Sequence, residues 1–391
     1  HTAYGNRPTC LSASLGILHQ EFLYIGSAGS ADAMERSKLG RQPKFRRRCS
    51  TSATIITLST VEDDGTQVER RTRRQTRRTK GGDTTAFKEA FKKFCERTLK
   101  TGVTQLADEF IKLKMSTQAI GNRPKTAWDA HPDKNRYREV FCIDATRVAL
   151  TWPSGSNSDY IHANWVNSVE KKKKFICTQG PMEKTVDDFW RMIWQEKCRS
   201  IVMLCNVMEC GKQKCEQYWP LKADQPMKLA SGLTVKSLST DSIESSVVLT
   251  KIEMSDSSGA KHSVEHFHWT DWPDRGVPSS TTLAIFRMLR RVNRLTPCVV
   301  HCSAGIGRTG TVVGIDLVYR RLEKGEKDIN LLKVVTELRE MRHGAVQMDA
   351  QYLYMHRILL VVAENLKIIT AAETEKFTKD YDNLLKTRGF L

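Results

Sequence analysis

Val299-Val300-His301-Cys302-Ser303-Ala304-Gly305-Ile306-Gly307-Arg308-Thr309-Gly310 is the stretch around which the chain is read. Residues 297–301 form a short apolar run of strand length. Residues 302–307 are small and include two glycines, and residues 311–322 carry apolar side chains at helical spacing. The reading is strand, loop, helix, with a cysteine ending the strand and an arginine opening the helix. That arrangement builds an anion site. The amides of the loop can all point inward, and the helix presents its unsatisfied N–H groups to the same point. Gly305 and Gly307 permit torsions and close approach that a Cβ resists. Arg308 adds a planar fork of donors matched to two oxygens of an oxyanion. The same positive surroundings would depress the pKa of Cys302, so a thiolate nucleophile would sit beneath the anion. The plain alternative is a buried structural cysteine beside an arginine that merely caps a helix.

The 391 residues suffice for one large or two ordinary domains, and a 40% hydrophobic content supports a sizeable core. The net charge of +18 points to acidic partners: a phosphoprotein, a nucleic acid or an anionic membrane surface. Residues 1–80 hold 15 Lys and Arg against 7 Asp and Glu, clustered at residues 44–48 and 70–80. Residues 1–83 read as a basic, disordered segment. Apart from Phe45, no aromatics interleave with the charges to suggest base stacking, so a solvated tail is the plainer reading and a nucleic-acid or membrane tether its rival. The 11 cysteines are scattered without a CxxC pair. Cys205, Cys210 and Cys215 are evenly spaced but have no nearby histidine set, so a zinc site is not expected and reduced thiols are. No run of about 20 apolar residues suggests a transmembrane helix.

After Gly81-Gly82 the pattern turns helical. Phe87, Phe91, Phe94 and Leu99 form one stripe, and Leu106, Phe110, Ile111 and Leu113 a second. Residues 133–140 follow a polar loop and lead into a strand, and further strands are expected within residues 54–58, 159–166, 175–181, 200–204, 233–238, 246–254 and 263–269. Residues 171–174 read as a solvated hairpin tip. Helices are expected from Asp188, over residues 281–295 and 329–342, from Gln351 to about residue 366, and again in the charged tail. The second sharp motif is Trp269-Thr270-Asp271-Trp272-Pro273-Asp274-Arg275-Gly276-Val277-Pro278. Tryptophans and prolines bracket a carboxylate on a glycine-bearing loop, which suits a rigid flap that carries one acid into a site.

The order of Lys134-Asn135-Arg136-Tyr137, Ala163-Asn164-Trp165-Val166, Thr178-Gln179-Gly180-Pro181, Asp188-Phe189-Trp190, Tyr218-Trp219-Pro220, Trp272-Pro273-Asp274 and HCSAGIGRTG resembles the classical protein tyrosine phosphatases, in their non-receptor form with a single catalytic domain. The resemblance covers roughly residues 85–365. It implies an α/β fold with a twisted mixed central sheet flanked by helices and a catalytic domain over residues 84–366, which leaves residues 367–391 as a charged tail of helical pattern. It implies phosphotyrosine in protein as substrate, no metal or other cofactor, and residence in the cytoplasm or nucleus.

The resemblance also implies roles for individual residues. Cys302 would attack phosphorus, and Asp274 would protonate the leaving tyrosine and then activate water. Arg308, with the amides of Ser303, Ala304, Gly305, Ile306 and Gly307, would hold the phosphate oxygens. Thr309 would hydrogen-bond the Cys302 sulfur, and His301 would tune it from behind. Gln347 would position the water with support from Gln351. Tyr137 would wall a slot too deep for phosphoserine, Glu139 would clasp the peptide, and Glu209 would orient Arg308. Four positions depart from the family's pattern. Arg275 replaces an aromatic, and Cys210 replaces a lysine, which would loosen the acid loop's closed state. Glu139 replaces an aspartate and His162 an asparagine. A phosphotyrosine-binding module that has lost turnover is the competing reading.

Overall fold

The computed structural model describes residues 84–117, 122–156, 158–278 and 283–390. The basic clusters and the strand expected near residue 54 lie outside these residues. The elements are α1 (Thr84–Thr117), α2 (Thr126–Asp129), β1 (Arg147–Ala149), β2 (Tyr160–Val166), β3 (Phe175–Thr178), α3 (Val186–Gln195), β4 (Ser200–Met203), β5 (Met208–Glu209), β6 (Lys212–Gln213), β7 (Met227–Lys228), β8 (Thr234–Glu244), β9 (Val247–Ser255), β10 (Lys261–Trp269), α4 (Ala284–Val292), β11 (Cys298–His301), α5 (Gly307–Glu323), α6 (Leu331–Met341), α7 (Asp349–Asn365) and α8 (Ala371–Thr387).

Nine strands form one mixed sheet in the order β1-β2-β3-β11-β4-β10-β9-β8-β7. The central four are parallel, and the strands outside them pair antiparallel. Of these, β3, β4 and β11 are buried along their length, as their near-continuous apolar sequences require. Register decides where the chemistry can go. His301 pairs with Thr178 on one side and Met203 on the other, so β3, β11 and β4 end at one level. Three loops leave the sheet there. In open α/β sheets such a row of strand ends is where ligands bind.

The two stripes expected in the first helix occupy α1, and Gly102 (φ 74°) breaks the helix between them. The hairpin at residues 171–174 joins β2 to β3, but Lys174 is only 3% exposed. Its Nζ lies 2.6 Å from Asp316 of α5, so the fourth lysine of the run is an internal ion pair rather than part of a solvated tip. Burial of both partners demands this pairing. Helix α8 packs against α1 and α7, burying Phe377, Tyr381 and Leu385. Among the described residues no helix is long and apolar enough to cross a membrane.

Candidate active site

The loop from Cys302 to the start of α5 turns its carbonyls outward, and each finds a donor. The Cys302 oxygen accepts from His301 Nδ1 (3.3 Å), Ser303 from Gly180 N (2.9 Å), and Ile306 from the amides of Gly310 and Val346 (3.0 and 2.9 Å). Ala304 and Gly305 both accept from Arg342 (3.1 and 3.0 Å). In a trans peptide N–H and C=O point opposite ways, so this outward set leaves the loop's amides on the inner side. The Gly305 amide donates to Cys302 Sγ at 3.3 Å. Gly305 has φ +70°, and a Cβ there would stand 2.0 Å from the Thr178 carbonyl oxygen, so no other residue fits.

Arg342 is fully buried and its remaining donors reach Asn164 Oδ1 (2.7 Å) and His162 Nδ1 (3.1 Å). His162 Nε2 then donates to the Val140 carbonyl at 2.9 Å. Burial, helped by Arg342, pushes His162 down to about 3, so it stays a neutral relay between Arg342 and the Tyr137 segment.

The cleft over this loop holds about 410 Å³. Cys302, 3% exposed, lies on its wall with Ser303, Ala304, Gly307 and Arg308, and Tyr137, Glu139, Asp274, Gln347 and Gln351 face the same space. Gly305 and Ile306 are not on the wall. Glu209 is not either: its carboxylate grips Arg308 in a two-point fork (2.6 and 2.9 Å) from behind. Burial alone would weaken the Arg308 charge, but the Glu209 fork and neighbouring thiols more than offset it and the pKa rises. Arg308 also donates to the Trp272 carbonyl (2.8 Å) and lies 3.3 Å from Asp274.

The acid loop is therefore docked on the site. Lys214 Nζ holds Asp274 at 2.7 Å. Partial burial raises the Asp274 pKa, but Lys214, Arg308 and Arg275 outweigh it and the net shift is downward. The Lys214–Asp274 contact is formed with Cys210 in place. Cys210 (φ 48°) and Gly211 (φ 71°) form the exposed tip of the β5–β6 hairpin, and Lys214, beyond that hairpin, reaches the acid. Lys214 is the main functional residue that sequence reasoning left without a role. Its spacing from Glu209 across a tight hairpin was the available signal.

The Tyr137 wall is fixed from beneath. Gln179 accepts the Arg136 amide and donates to the Lys134 carbonyl (3.0 and 2.9 Å). The Arg136 guanidinium donates to the carbonyls of Gly180 and Pro181. Ser303 donates to the Lys214 carbonyl, so it must accept from the Tyr137 hydroxyl, 2.8 Å away. Gln351 accepts the amides of Gln347 and Met348 and lies 3.4 Å from the Gly276 carbonyl, tying α7 to the acid loop.

Two expected contacts differ. Thr309 Oγ1 is buried without a hydrogen-bond partner, so it does not bond the Cys302 sulfur here, which takes the Gly305 amide instead. His301 acts on backbone, not sulfur. Its Nδ1 donates to the Cys302 carbonyl, leaving Nε2 to accept from Tyr218 at 2.7 Å. The Tyr218 oxygen in turn accepts from His266 Nε2 at 2.7 Å. Burial pushes His301 down to about 3, so the ring is neutral. The histidine missing near the evenly spaced cysteines is supplied in space. Cys205, Cys215 and His301 offer ligand atoms within 4.8 Å of one another. Both His301 nitrogens are committed to hydrogen bonds and the Cys215 thiol donates to the Glu216 carbonyl (3.3 Å), so the trio packs rather than presents a donor set.

The family model described as Protein-tyrosine phosphatase matches residues 131–361, more than half of the chain. The chain belongs to the protein-tyrosine phosphatase family. Among relatives, it is 37% identical over 286 residues to human receptor-type tyrosine-protein phosphatase H, covering 71% of this chain and 25% of that one. It is 35% identical over 239 residues to mouse tyrosine-protein phosphatase non-receptor type 20, covering 60% of this chain and 54% of that one. The chain thus spans a quarter to about half of these relatives' lengths. Among solved structures, the catalytic domain of human protein tyrosine phosphatase non-receptor type 18 superposes with TM-score 0.64 at 31% identity, covering 70% of this chain and 99% of that one. The same phosphatase in complex with HER2 phosphopeptides gives TM-score 0.63 at 30% identity, covering 68% and 97%. The mixed sheet and flanking helices are the fold of this phosphatase family.

Proposed function

We propose that this chain hydrolyses phosphotyrosine in proteins through a cysteinyl-phosphate intermediate. The observation that carries the reading is one cleft with Cys302 Sγ on a loop of inward amides, Arg308 beside it, and Asp274 3.3 Å from Arg308. Cys302 attacks phosphorus while Arg308 and the loop amides take the equatorial oxygens. Asp274 protonates the tyrosine oxygen, a poor leaving group with a conjugate acid near pKa ~10, and then takes a proton from the attacking water. The free site holds Asp274 ionised through Lys214 and Arg308. A bound phosphate dianion competes for Arg308 and repels the Asp274 carboxylate, favouring the protonated acid that the first step needs. Gln347 orients the water, and Gln351 fixes Gln347. The buried Thr309 hydroxyl is free to donate to the sulfur as it becomes a leaving group. Tyr137 sets the depth that selects tyrosine over serine, and Glu139 contacts the peptide. The complete set of nucleophile, acid and arginine favours turnover over a binding-only role.

The phosphopeptide complexes of the non-receptor type 18 enzyme support phosphotyrosine proteins as the substrate class. The nine described cysteines are free thiols, in keeping with a reducing compartment, and the proposed location is the cytoplasm or nucleus. The proposed layout is a catalytic domain over 84–366, preceded by a basic segment read as a solvated tail, with a tether to an anionic partner as its rival. A salt-dependent pull-down with residues 1–83 tests that segment.

The test of function is turnover of a phosphotyrosine peptide beside its phosphoserine twin, with EDTA present. The expected result is tyrosine-only turnover, lost in Cys302→Ser and cut ~10²–10⁴-fold in Asp274→Ala. Binding of the phosphotyrosine peptide by wild-type chain without turnover would overturn the proposal.

A further inference from the structure

Helix α8 begins and ends on explicit local signals. Thr370 and Glu373 form a capping box at its start. At its end Gly389 adopts φ +70°, and the amides of Gly389 and Phe390 donate to the carbonyls of Lys386 and Leu385 (both 3.0 Å). This is the Schellman closure, whose hydrophobic residue after the glycine packs back on the helix. The closure fixes the backbone of Phe390 at the end of α8.

The Phe390 ring goes to the acid loop. A Cβ built on Gly276 would stand 3.3 Å from Phe390 Cδ1 and 2.8 Å from Pro273 Cγ, so the ring lies against the turn that carries Asp274. The Gly276 carbonyl is already held by Trp272 Nε1 (3.0 Å) and lies within reach of Gln351. Arg388 pairs with Asp349, two residues from both Gln347 and Gln351. Behind the loop, Trp272 packs edge-on against Tyr354 of α7 (5.7 Å), and α8, with its buried Tyr381, packs against α7.

We propose that residues 388–390 are a clamp that holds the acid loop in its docked position, with Phe390 as the positioning residue and Arg388 securing it beside Gln347. The inference rests on the proposed reaction only for its kinetic consequence. Phe390 touches neither the phosphate cradle nor Cys302. Loss of the clamp leaves phosphate binding intact and costs the step in which Asp274 delivers its proton.

The experiment uses the full chain with Phe390→Ala, Phe390→Leu and Gly389→Ala, each read two ways. One reading is amide exchange of residues 270–278. The other is kcat on a phosphotyrosine peptide against kcat on an aryl phosphate whose phenol is acidic enough to leave without help. Phe390→Ala is expected to speed exchange of that segment and to lower kcat on phosphotyrosine about 3- to 10-fold while sparing the activated ester. Phe390→Leu restores most of both, and Gly389→Ala, forced off its left-handed torsion, behaves as Phe390→Ala. Unchanged exchange in Phe390→Ala, or equal loss on both substrates, overturns the clamp. Failure of the wild-type chain to turn over phosphotyrosine would instead overturn the proposed reaction, and the exchange measurement would still decide the clamp.

Discussion

At the scale of single residues, the site is governed by which charges are shared. Lys214 and Arg308 both hold Asp274, and both depress its pKa against the upward push of partial burial. Lys214→Met should therefore raise the Asp274 pKa. The acid form then survives to higher pH, so the alkaline limb of kcat should move upward, as read from a pH–rate profile. Glu209 presents a different case. Arg308 is 2% exposed and its main counter-charge is the Glu209 fork. Glu209→Ala leaves a buried cation underpaired, and stability should fall by ~3 kcal/mol in denaturant melts. Glu209 was read only from the family resemblance, its contact with Arg308 spanning 99 residues, whereas Cys302, Arg308 and Asp274 were legible because each stands in a short motif whose chemistry is local. The role of Lys214 was not, because its contact with Asp274 spans 60 residues.

At the scale of elements, strands and helices followed their sequence periods closely. The three strands of residues 234–269 and helices α6, α7 and α8 lie where alternation and helical spacing put them. Deviations have local causes. Helix α5 begins at Gly307, four residues before its apolar spacing, because the loop must feed directly into a helix N-terminus to aim its amides. The nucleophile loop depends on Arg342, whose partners His162 and Asn164 lie 180 and 178 residues away, beyond any sequence window. Arg342→Met removes the donors of two buried carbonyls. It should cost about 2 kcal/mol or more and weaken inorganic phosphate binding in parallel, as read by thermal melts with and without phosphate. His162 uses one ring nitrogen as acceptor and one as donor. An asparagine offers both functions, so His162→Asn should be tolerated far better than His162→Leu in the same melts.

At the scale of the molecule, several histidines are sealed in the core as neutral rings. His162, His301 and His356 are each pushed from 6.5 down to about 3, first by burial. Their folded pKa lies below the unfolded one. Between those values the unfolded chain binds more protons, so stability is full above the unfolded pKa and falls as pH drops from about 6.5 toward 3. The slope approaches ~1.4 kcal/mol per pH unit for each ring. Urea midpoints at pH 7 and pH 5 check this, and a midpoint that rises on acidification would refute it. Apart from His301, which the resemblance placed behind the nucleophile, these rings could not be told from surface histidines in the sequence. Their fate is set by packing of distant elements, as with Thr98 and His356, bonded across 258 residues.

The distribution of thiols has a practical consequence for chemical labelling. Among the described cysteines only Cys210 is exposed, at its hairpin tip, while Cys302 sits at the floor of a cationic cleft. A bulky maleimide dye should tag Cys210 and pass over Cys302. A small anionic alkylator such as iodoacetate should favour Cys302 and be blocked by inorganic phosphate. Used alone, the maleimide would leave a fluorophore on the hairpin that precedes Lys214, a reporter of the acid loop's opening with the Cys302 thiol untouched.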